Sequence, residues 1–284
     1  MDMKNNRFMQ VINDADEKGI AVGAINIVNY LTSRAAVEAA EELGVNLIIQ
    51  TSAATVEHFG AEQLYNIVDA ARKDAKIIVA LHLDHCRKTE LGKLCVDTGW
   101  DAVMMDFSHL PLEENIAKTK EVADYAHERG VAIEGEIGVI YGTEEDITAD
   151  KEVRAGYDDT VKFIKGSCID VVAPAIGTAH GVYKGVPKLD FDLVERLGKD
   201  DTPIVIHGGT GLSAETFQKL IKLGGRKINI STAVKNTYIG TIKELVNSGD
   251  KYAPIPFDTK VYKAVKAEIK KHLAVFSGLA DSFD

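Results

Sequence analysis

Along the whole chain, short apolar runs rich in β-branched residues alternate with stretches whose apolar positions recur at helical spacing. A short apolar run bounded by polar segments reads as a strand buried on both faces, and an i, i+3, i+4 recurrence reads as a helix laid against it. Residues 21–26 give the first strand. Residues 32–43 give a helix with Ala35, Ala36, Ala39, Ala40 and Leu43 on one face and Gly44 as its stop. Further strands are expected at 46–51, 77–85, 101–106, 131–138, 169–173, 203–207 and 226–231. Further helices are expected at 61–74, 88–98, 111–129, within 151–165, and at 190–197, 214–223, 232–248 and 259–276. Eight strand-then-helix units in 284 residues point to one closed (β/α)8 TIM barrel with an extra C-terminal helix. An open doubly wound sheet is the alternative. It would more often carry a glycine-rich phosphate loop after the first strand, where this chain has Asn26-Ile27-Val28-Asn29. No linker rich in Pro, Gly or Ser divides the chain, so residues 1–284 are expected to form a single barrel domain.

The chemistry gathers where these strands end. Asp84 and His85 close the third strand and Asp106 the fourth, while Glu134 and Glu136 share one face of the fifth by period two. His180 lies just beyond the sixth strand, His207 closes the seventh, and Asn229 and Ser231 close the eighth. In a parallel barrel these ends open on one rim, the rim where ligands bind. His85, His180 and His207 together suit a Zn²⁺ site with a position left for a substrate oxygen. A histidine taken alone is more often a hydrogen-bonded structural residue, and His58, His109, His127 and His272 are read that way. So is His82, because alternation aims it with Ala80 and Asp84, away from Leu81, Leu83 and His85. For Asp84 and His85 to share a site, the strand must bend at its end.

Glycine-rich turns supply a second kind of site. Ala179-His180-Gly181 and His207-Gly208-Gly209-Thr210-Gly211 both follow strands, and glycines let backbone N–H groups approach a phosphate closely. Asn229-Ile230-Ser231-Thr232 opens a helix, whose free N–H groups would face the same anion. Asn26, Ser52 and Lys184 complete the candidate substrate-binding set. Glu144-Glu145-Asp146, in an expected loop after the fifth strand, reads as a mobile segment that brings a carboxylate base onto substrate.

Composition narrows the classes. A net charge of −10 argues against a nucleic-acid partner, so an anionic substrate must be held by local dipoles and cations. Cys86, Cys95 and Cys168 are an odd number without a CxxC pair, which suggests a reducing, cytoplasmic setting. The polar opening residues lack the apolar core of a signal peptide, and no apolar stretch reaches the roughly 20 residues of a membrane span.

Taken together, Leu83-Asp84-His85, Asp106-Phe107-Ser108-His109, Glu134-Gly135-Glu136-Ile137-Gly138, the segment 177–185 around His180, His207-Gly208-Gly209-Thr210-Gly211 and Lys227-Ile228-Asn229-Ile230-Ser231-Thr232 resemble the class II, zinc-dependent ketose-phosphate aldolases, over residues 7–278. The resemblance implies that His85, His180 and His207 bind the catalytic Zn²⁺. It implies that Asp84 exchanges a proton with the carbon-4 hydroxyl of the ketose, and that Glu144 moves the proton on the dihydroxyacetone phosphate carbon. Asp106 and Glu136 match a second divalent-metal site. Gly181, Gly208 to Thr210 and Asn229 to Thr232 match the groups around the dihydroxyacetone phosphate moiety, with a Na⁺ or K⁺ ion as a further family feature. A homodimer or homotetramer is expected on the same ground.

The chain departs from the family pattern in one segment and at two further positions. Fructose and tagatose bisphosphate aldolases usually carry an arginine, in a Tyr-Asp/Glu-Pro-Arg segment, that holds the distal phosphate in a neighbouring subunit's site. The matching segment here is Tyr252-Ala253-Pro254-Ile255, and isoleucine cannot bind phosphate. Phe107 and Tyr141 stand where the family has glycines. The departure implies an aldehyde half other than ordinary glyceraldehyde 3-phosphate, either without the distal phosphate or with another group such as a sulfonate, unless Lys260 supplies the cation. Two other readings compete: another zinc barrel enzyme such as a hydrolase, against which the two glycine loops speak, and a non-catalytic aldolase-like partner subunit.

Overall fold

The computed structural model describes residues 3–144, 147–149, 153–181, 187–249 and 253–283. In chain order its strands are β1 (Val22–Asn26), β2 (Leu47–Ser52), β3 (Val79–Cys86), β4 (Ala102–Met105), β5 (Ala132–Ile137), β6 (Tyr141–Glu144), β7 (Ile147–Ala149), β8 (Val171–Pro174), β9 (Ala179–His180), β10 (Ile204–Ile206) and β11 (Gly225–Ile230). Its helices are α1 (Arg7–Lys18), α2 (Tyr30–Leu43), α3 (Ala53–Phe59), α4 (Ala61–Arg72), α5 (Thr89–Thr98), α6 (Leu112–His127), α7 (Tyr157–Ser167), α8 (Phe191–Leu197), α9 (Ala214–Lys222), α10 (Thr232–Asn247) and α11 (Pro254–Phe276).

The strands β1, β2, β3, β4, β5, β8, β10 and β11 pair in parallel and close into an eight-stranded barrel, with β11 returning to β1. The expected (β/α)8 TIM barrel with an added C-terminal helix is the fold observed. The expected strands differ from the observed ones by no more than two residues at an end, as hydrogen-bond definitions of strand ends allow. Among the described residues no helix is long and apolar enough to cross a membrane.

Alternation along these strands builds two separate apolar layers. One set, including Ile25, Ile49, Leu81, Leu83, Val103, Ile133 and Ile206, faces the surrounding helices. The other, Val22, Ala24, Ile48, Ala80, Ala102, Ala132, Ala173 and Val205, fills the barrel's lower interior. Alanines there leave room for a plug, and α1 provides it. Phe8, Val11, Ile12 and Ala15 recur at helical spacing on its buried face, and Asn6 caps its first turn by accepting from Met9 N. The Phe8 ring is fully buried and stacks on His82 with centroids 5.2 Å apart. Phe8→Ala is expected to destabilise the fold by about 3–5 kcal/mol, measured as a lower urea midpoint. An unchanged midpoint would mean that the floor is not closely packed.

Several elements differ from the sequence reading, among them the short helix α3, which had no counterpart there. The expected pattern began at the first strand and had no α1. The last helix begins at Pro254, a residue suited to a helix's first turn, not at Thr259. The expected loop after the fifth strand contains instead a small sheet, in which β6 pairs antiparallel with β7 and parallel with β9. Helix α11 lies against β1, where a Cβ on Gly23 would come within 2.3 Å of Leu273 Cδ2. A side chain at that position would force Leu273 to move.

Candidate active site

At the end of β3 one strand delivers two neighbouring side chains to one cavity. Its pairing with β4 shifts between Leu83 and Cys86, and His85 adopts a left-handed φ of 45°. That irregularity interrupts the alternation. Asp84 and His85 are therefore both buried inside the rim, with His85 Nε2 4.0 Å from Asp84 Oδ1. His207, following β10, meets them from across the barrel, its Nδ1 2.8 Å from His85 Nε2. The two rings stand edge to face. A non-glycine residue at positive φ is uncommon enough to mark a position the surroundings hold in place.

Beneath these groups runs a buried ring of polar side chains. Asp84 accepts from Asn26 Nδ2 at 2.8 Å and from Asn229 Nδ2 at 3.1 Å. Gln50 Nε2 donates to Asn26 Oδ1 at 2.8 Å, and Gln50 Oε1 faces His82 Nδ1 at 3.3 Å. Glu134 then faces His82 Nε2 at 3.4 Å, Lys227 Nζ at 2.9 Å and His207 Nε2 at 2.7 Å. Lys227 Nζ returns to Asn229 Oδ1 at 2.7 Å, which closes the circuit. Polar groups this deep need partners, and each of these has one within the ring. Burial raises the Glu134 carboxyl, but Lys227, His82 and His207 outweigh it and hold the group well below the usual carboxylate range. Burial lowers the pKa of His207 although Glu134 opposes it, so the ring favours the neutral form that can ligate a metal.

A second cluster shares His85. Its Nδ1 lies 3.7 Å from Asp106 Oδ2 and 3.6 Å from Glu136 Oε2. Ser108 Oγ bridges the two carboxyls, donating to Asp106 Oδ1 at 2.6 Å and lying 3.1 Å from Glu136 Oε1, while Arg87 Nε donates to Asp106 at 3.0 Å. Burial pushes Asp106 up, but His85, Arg87 and Ser108 outweigh it and hold its carboxyl low. Burial and the Asp106 charge push Glu136 well above its ordinary value. Two carboxyls this close and this dry do not ionise together without a countercharge, and a divalent cation would supply one. Asp84, His85 and His207, and separately His85, Asp106 and Glu136, hold donor atoms close enough to converge on a metal. Imidazole nitrogens with carboxylate oxygens suit a divalent ion of the zinc type.

Beside the histidines lies a small cavity lined by Gly181, Gly208, Gly209, Thr210, Asn229, Ser231 and Thr232. Gly208 has φ of 67°, and a Cβ there would meet Ala179 O at 2.6 Å, so only glycine fits. Among the described residues the buried Ser231 Oγ has no hydrogen-bond partner, and α10 starts at Thr232 without a side-chain cap. An unspent hydroxyl and uncapped helix amides at one glycine-lined cavity suit a phosphate.

Not every expected residue joins these clusters. Ser52 caps α3, accepting from Thr55 N at 3.2 Å. The Ile230 side chain packs in the outer core between barrel and helices, so only its backbone faces the cavity side. Glu144 lies in β6, a strand and not a loop, beside the strand that carries His180, with Gly142 paired to His180. The side chains of Glu144 and His180, and the whole of Lys184, lie outside the described residues, as do Glu145, Asp146 and Tyr252. The sequence reading gives no site role to Gln50, Lys227, Ser108 or Arg87. A long polar side chain at an inward-facing position of a barrel strand is a signal for the first two, because such a group must have a buried partner.

The model of the class II fructose-bisphosphate aldolase family matches residues 6–279. A fructose-bisphosphate aldolase of Staphylococcus aureus is 36% identical over 272 residues, which covers 94% of this chain and 95% of that relative. One from Geobacillus stearothermophilus is 38% identical over 242 residues, 84% of each chain. Among solved structures, the YdjI aldolase of Escherichia coli K12 superposes with a TM-score of 0.84 at 29% identity, covering 95% of this chain and 96% of that one. A match spanning nearly the whole chain, together with relatives of the same length and barrel, leads to one conclusion: the chain belongs to the class II fructose-bisphosphate aldolase family and is an aldehyde-lyase.

Proposed function

We propose that the chain catalyses reversible aldol cleavage of a ketose 1-phosphate or 1,6-bisphosphate, giving dihydroxyacetone phosphate and an aldehyde. The observation that carries this reading is the meeting of Asp84, His85 and His207 beside a glycine-lined cavity with an unspent serine hydroxyl. His85, His207 and His180 would hold the catalytic Zn²⁺, and Asp106 with Glu136 a second divalent ion. When bound, Zn²⁺ supplies Lewis-acid stabilisation of the enediolate charge that appears as the bond between carbons 3 and 4 breaks.

The chain's own groups do the rest. Asp84 takes the proton from the carbon-4 hydroxyl during cleavage and returns it during condensation. Its two amide partners, Asn26 and Asn229, hold the carboxylate in one orientation. Glu144 delivers a proton to the carbon left on the dihydroxyacetone phosphate half. Gly181, Gly208, Gly209, Thr210, Ser231, Thr232 and the Ile230 backbone hold the phosphate, with Lys184 nearby and a Na⁺ or K⁺ ion beside it.

Ile255 bears on the aldehyde half. It sits on the first turn of α11, three-quarters exposed, and has no donor for an anion. A cavity of about 470 Å³ adjoins Asn26, and hence Asp84, between β1 and α10. Its wall combines Thr32, Lys235 and Tyr238 with Val28, Val234 and Ile239. The aldehyde half is read as one that is not held by the family's distal-phosphate arginine. Cleavage rates for ketose 1-phosphates and for 1,6-bisphosphates test this directly. The expected result is a kcat/KM for a 1-phosphate at least equal to that for fructose 1,6-bisphosphate, and a strong preference for the bisphosphate would overturn it.

A further inference from the structure

Lys227 is fully buried, yet it carries three N–H donors and no acceptor. Its Cα lies at the level of Val22 and Val205, below Asn229, which pairs with Ala24. The long stem therefore runs up the barrel interior and places Nζ between Glu134 Oε2 at 2.9 Å and Asn229 Oδ1 at 2.7 Å. With no exposure and both contacts made to oxygen acceptors, Nζ has no room to act as a nucleophile.

Each contact decides the orientation of a group above it. An ammonium can only donate, so Asn229 must turn Oδ1 toward Lys227. That leaves Asn229 Nδ2 to face Asp84 Oδ1 at 3.1 Å, with His207 Nε2 farther off at 3.3 Å. A carboxylate can only accept. With Glu134 Oε2 beside Lys227, Oε1 takes the Nε2–H of His207 at 2.7 Å. The lone pair of His207 is then on Nδ1, the nitrogen that faces His85.

We propose that Lys227 is the positioning residue of this site, setting through Glu134 which nitrogen His207 presents for ligation and setting through Asn229 the orientation of Asp84. The inference rests on the reading of His207 as a metal ligand and Asp84 as the base. Carboxylate partners of ligating histidines are a general device, and their loss typically weakens metal binding by about 10–100-fold. Here the carboxylate is itself anchored by a cation, and the same cation reaches the other half of the site.

The test uses the full-length protein with histidine-selective ¹⁵N labelling, with and without Zn²⁺, and titration of Zn²⁺ against a competing chelator. In the wild type, His207 is expected to carry its proton on Nε2 in both states. In Lys227→Met and in Glu134→Gln that tautomer preference is expected to weaken, with Zn²⁺ bound about 10–100-fold less tightly. A buried Glu134 without its cation threatens the fold of Lys227→Met. The double variant Lys227→Met, Glu134→Gln removes both charges, and it is expected to fold and to show the same loss of Zn²⁺ affinity. A wild-type His207 protonated on Nδ1 would overturn the proposal, as would a folded double variant with wild-type Zn²⁺ affinity. Wild-type protein that takes up no Zn²⁺ would overturn the reading of the metal site instead, while the tautomer in the metal-free protein still decides the part of Lys227.

Discussion

Asp84→Ala is expected to lower turnover by about 10²–10⁴-fold, the range for an acid–base group acting directly on substrate. The expectation follows from where the carboxylate sits. Asp84 is 1% exposed, within 4.0 Å of a histidine ring, and gripped on both oxygens by amides from opposite sides of the seam between β1 and β11. Nothing else in the cluster combines a buried carboxylate with contacts to both the histidines and the rim of the larger cavity. Removing it leaves Asn26 Nδ2 and Asn229 Nδ2 with lost acceptors, at a cost of about 1–3 kcal/mol for a buried donor. Turnover must therefore be measured on protein whose melting curve shows it folded. Asp84→Asn keeps the shape and loses the ability to take a proton, so it is expected to fall in the same range. Cleavage monitored through release of dihydroxyacetone phosphate gives the rates, and near-normal turnover in either folded variant would remove Asp84 from the reaction.

Stripping divalent metal with a strong chelator is expected to be at least as damaging. Lewis-acid stabilisation of a developing enediolate supplies several kcal/mol, so its loss should cost roughly 10³-fold or more in rate. Zn²⁺ returned in stoichiometric amounts is expected to restore activity and to raise the melting temperature, since a ligand bound only by the folded state stabilises it. His85 has a role in both donor clusters, the one with Asp84 and His207 and the one with Asp106 and Glu136. His85→Ala is therefore expected to weaken metal binding more than Glu136→Gln, because Glu136 is a donor only in the second group. Full activity in protein that elemental analysis shows to be metal-free would rule the metal out of the reaction.

Much of the barrel could be read from alternation alone, because a strand covered on both faces leaves a continuous apolar run. The convergence of Asp84, His85 and His207 was legible for the same reason: parallel strands end on one rim. What alternation does not show is how two adjacent residues face one way, and the shift at the end of β3 with the left-handed backbone of His85 supplies that answer. Ser52 illustrates the opposite limit. The residues after it form α3, which its hydroxyl caps, a role that its place at a strand end does not announce. The β6–β7 pair was hidden because a charged run reads as solvated loop, whereas strand pairing there is set by neighbours distant in sequence. Helix α1 does not stand out in the sequence because its buried stripe of Phe8, Val11, Ile12 and Ala15 is set among polar residues. Lys227 and Gln50 turn on a question that the pattern does not ask, namely where a long polar side chain on a barrel strand finds its buried partner.

The seam where β11 meets β1 has a consequence for synthesis on the ribosome. The first strand to emerge waits for the last before either edge is satisfied, and the plug on the floor comes from residues made earlier still. A nascent chain can stack its successive β/α units as they appear, but it cannot seal the cylinder until Gly225–Ile230 has left the exit tunnel. Until then the row of open backbone groups on β1 has to be shielded by something other than its native neighbour.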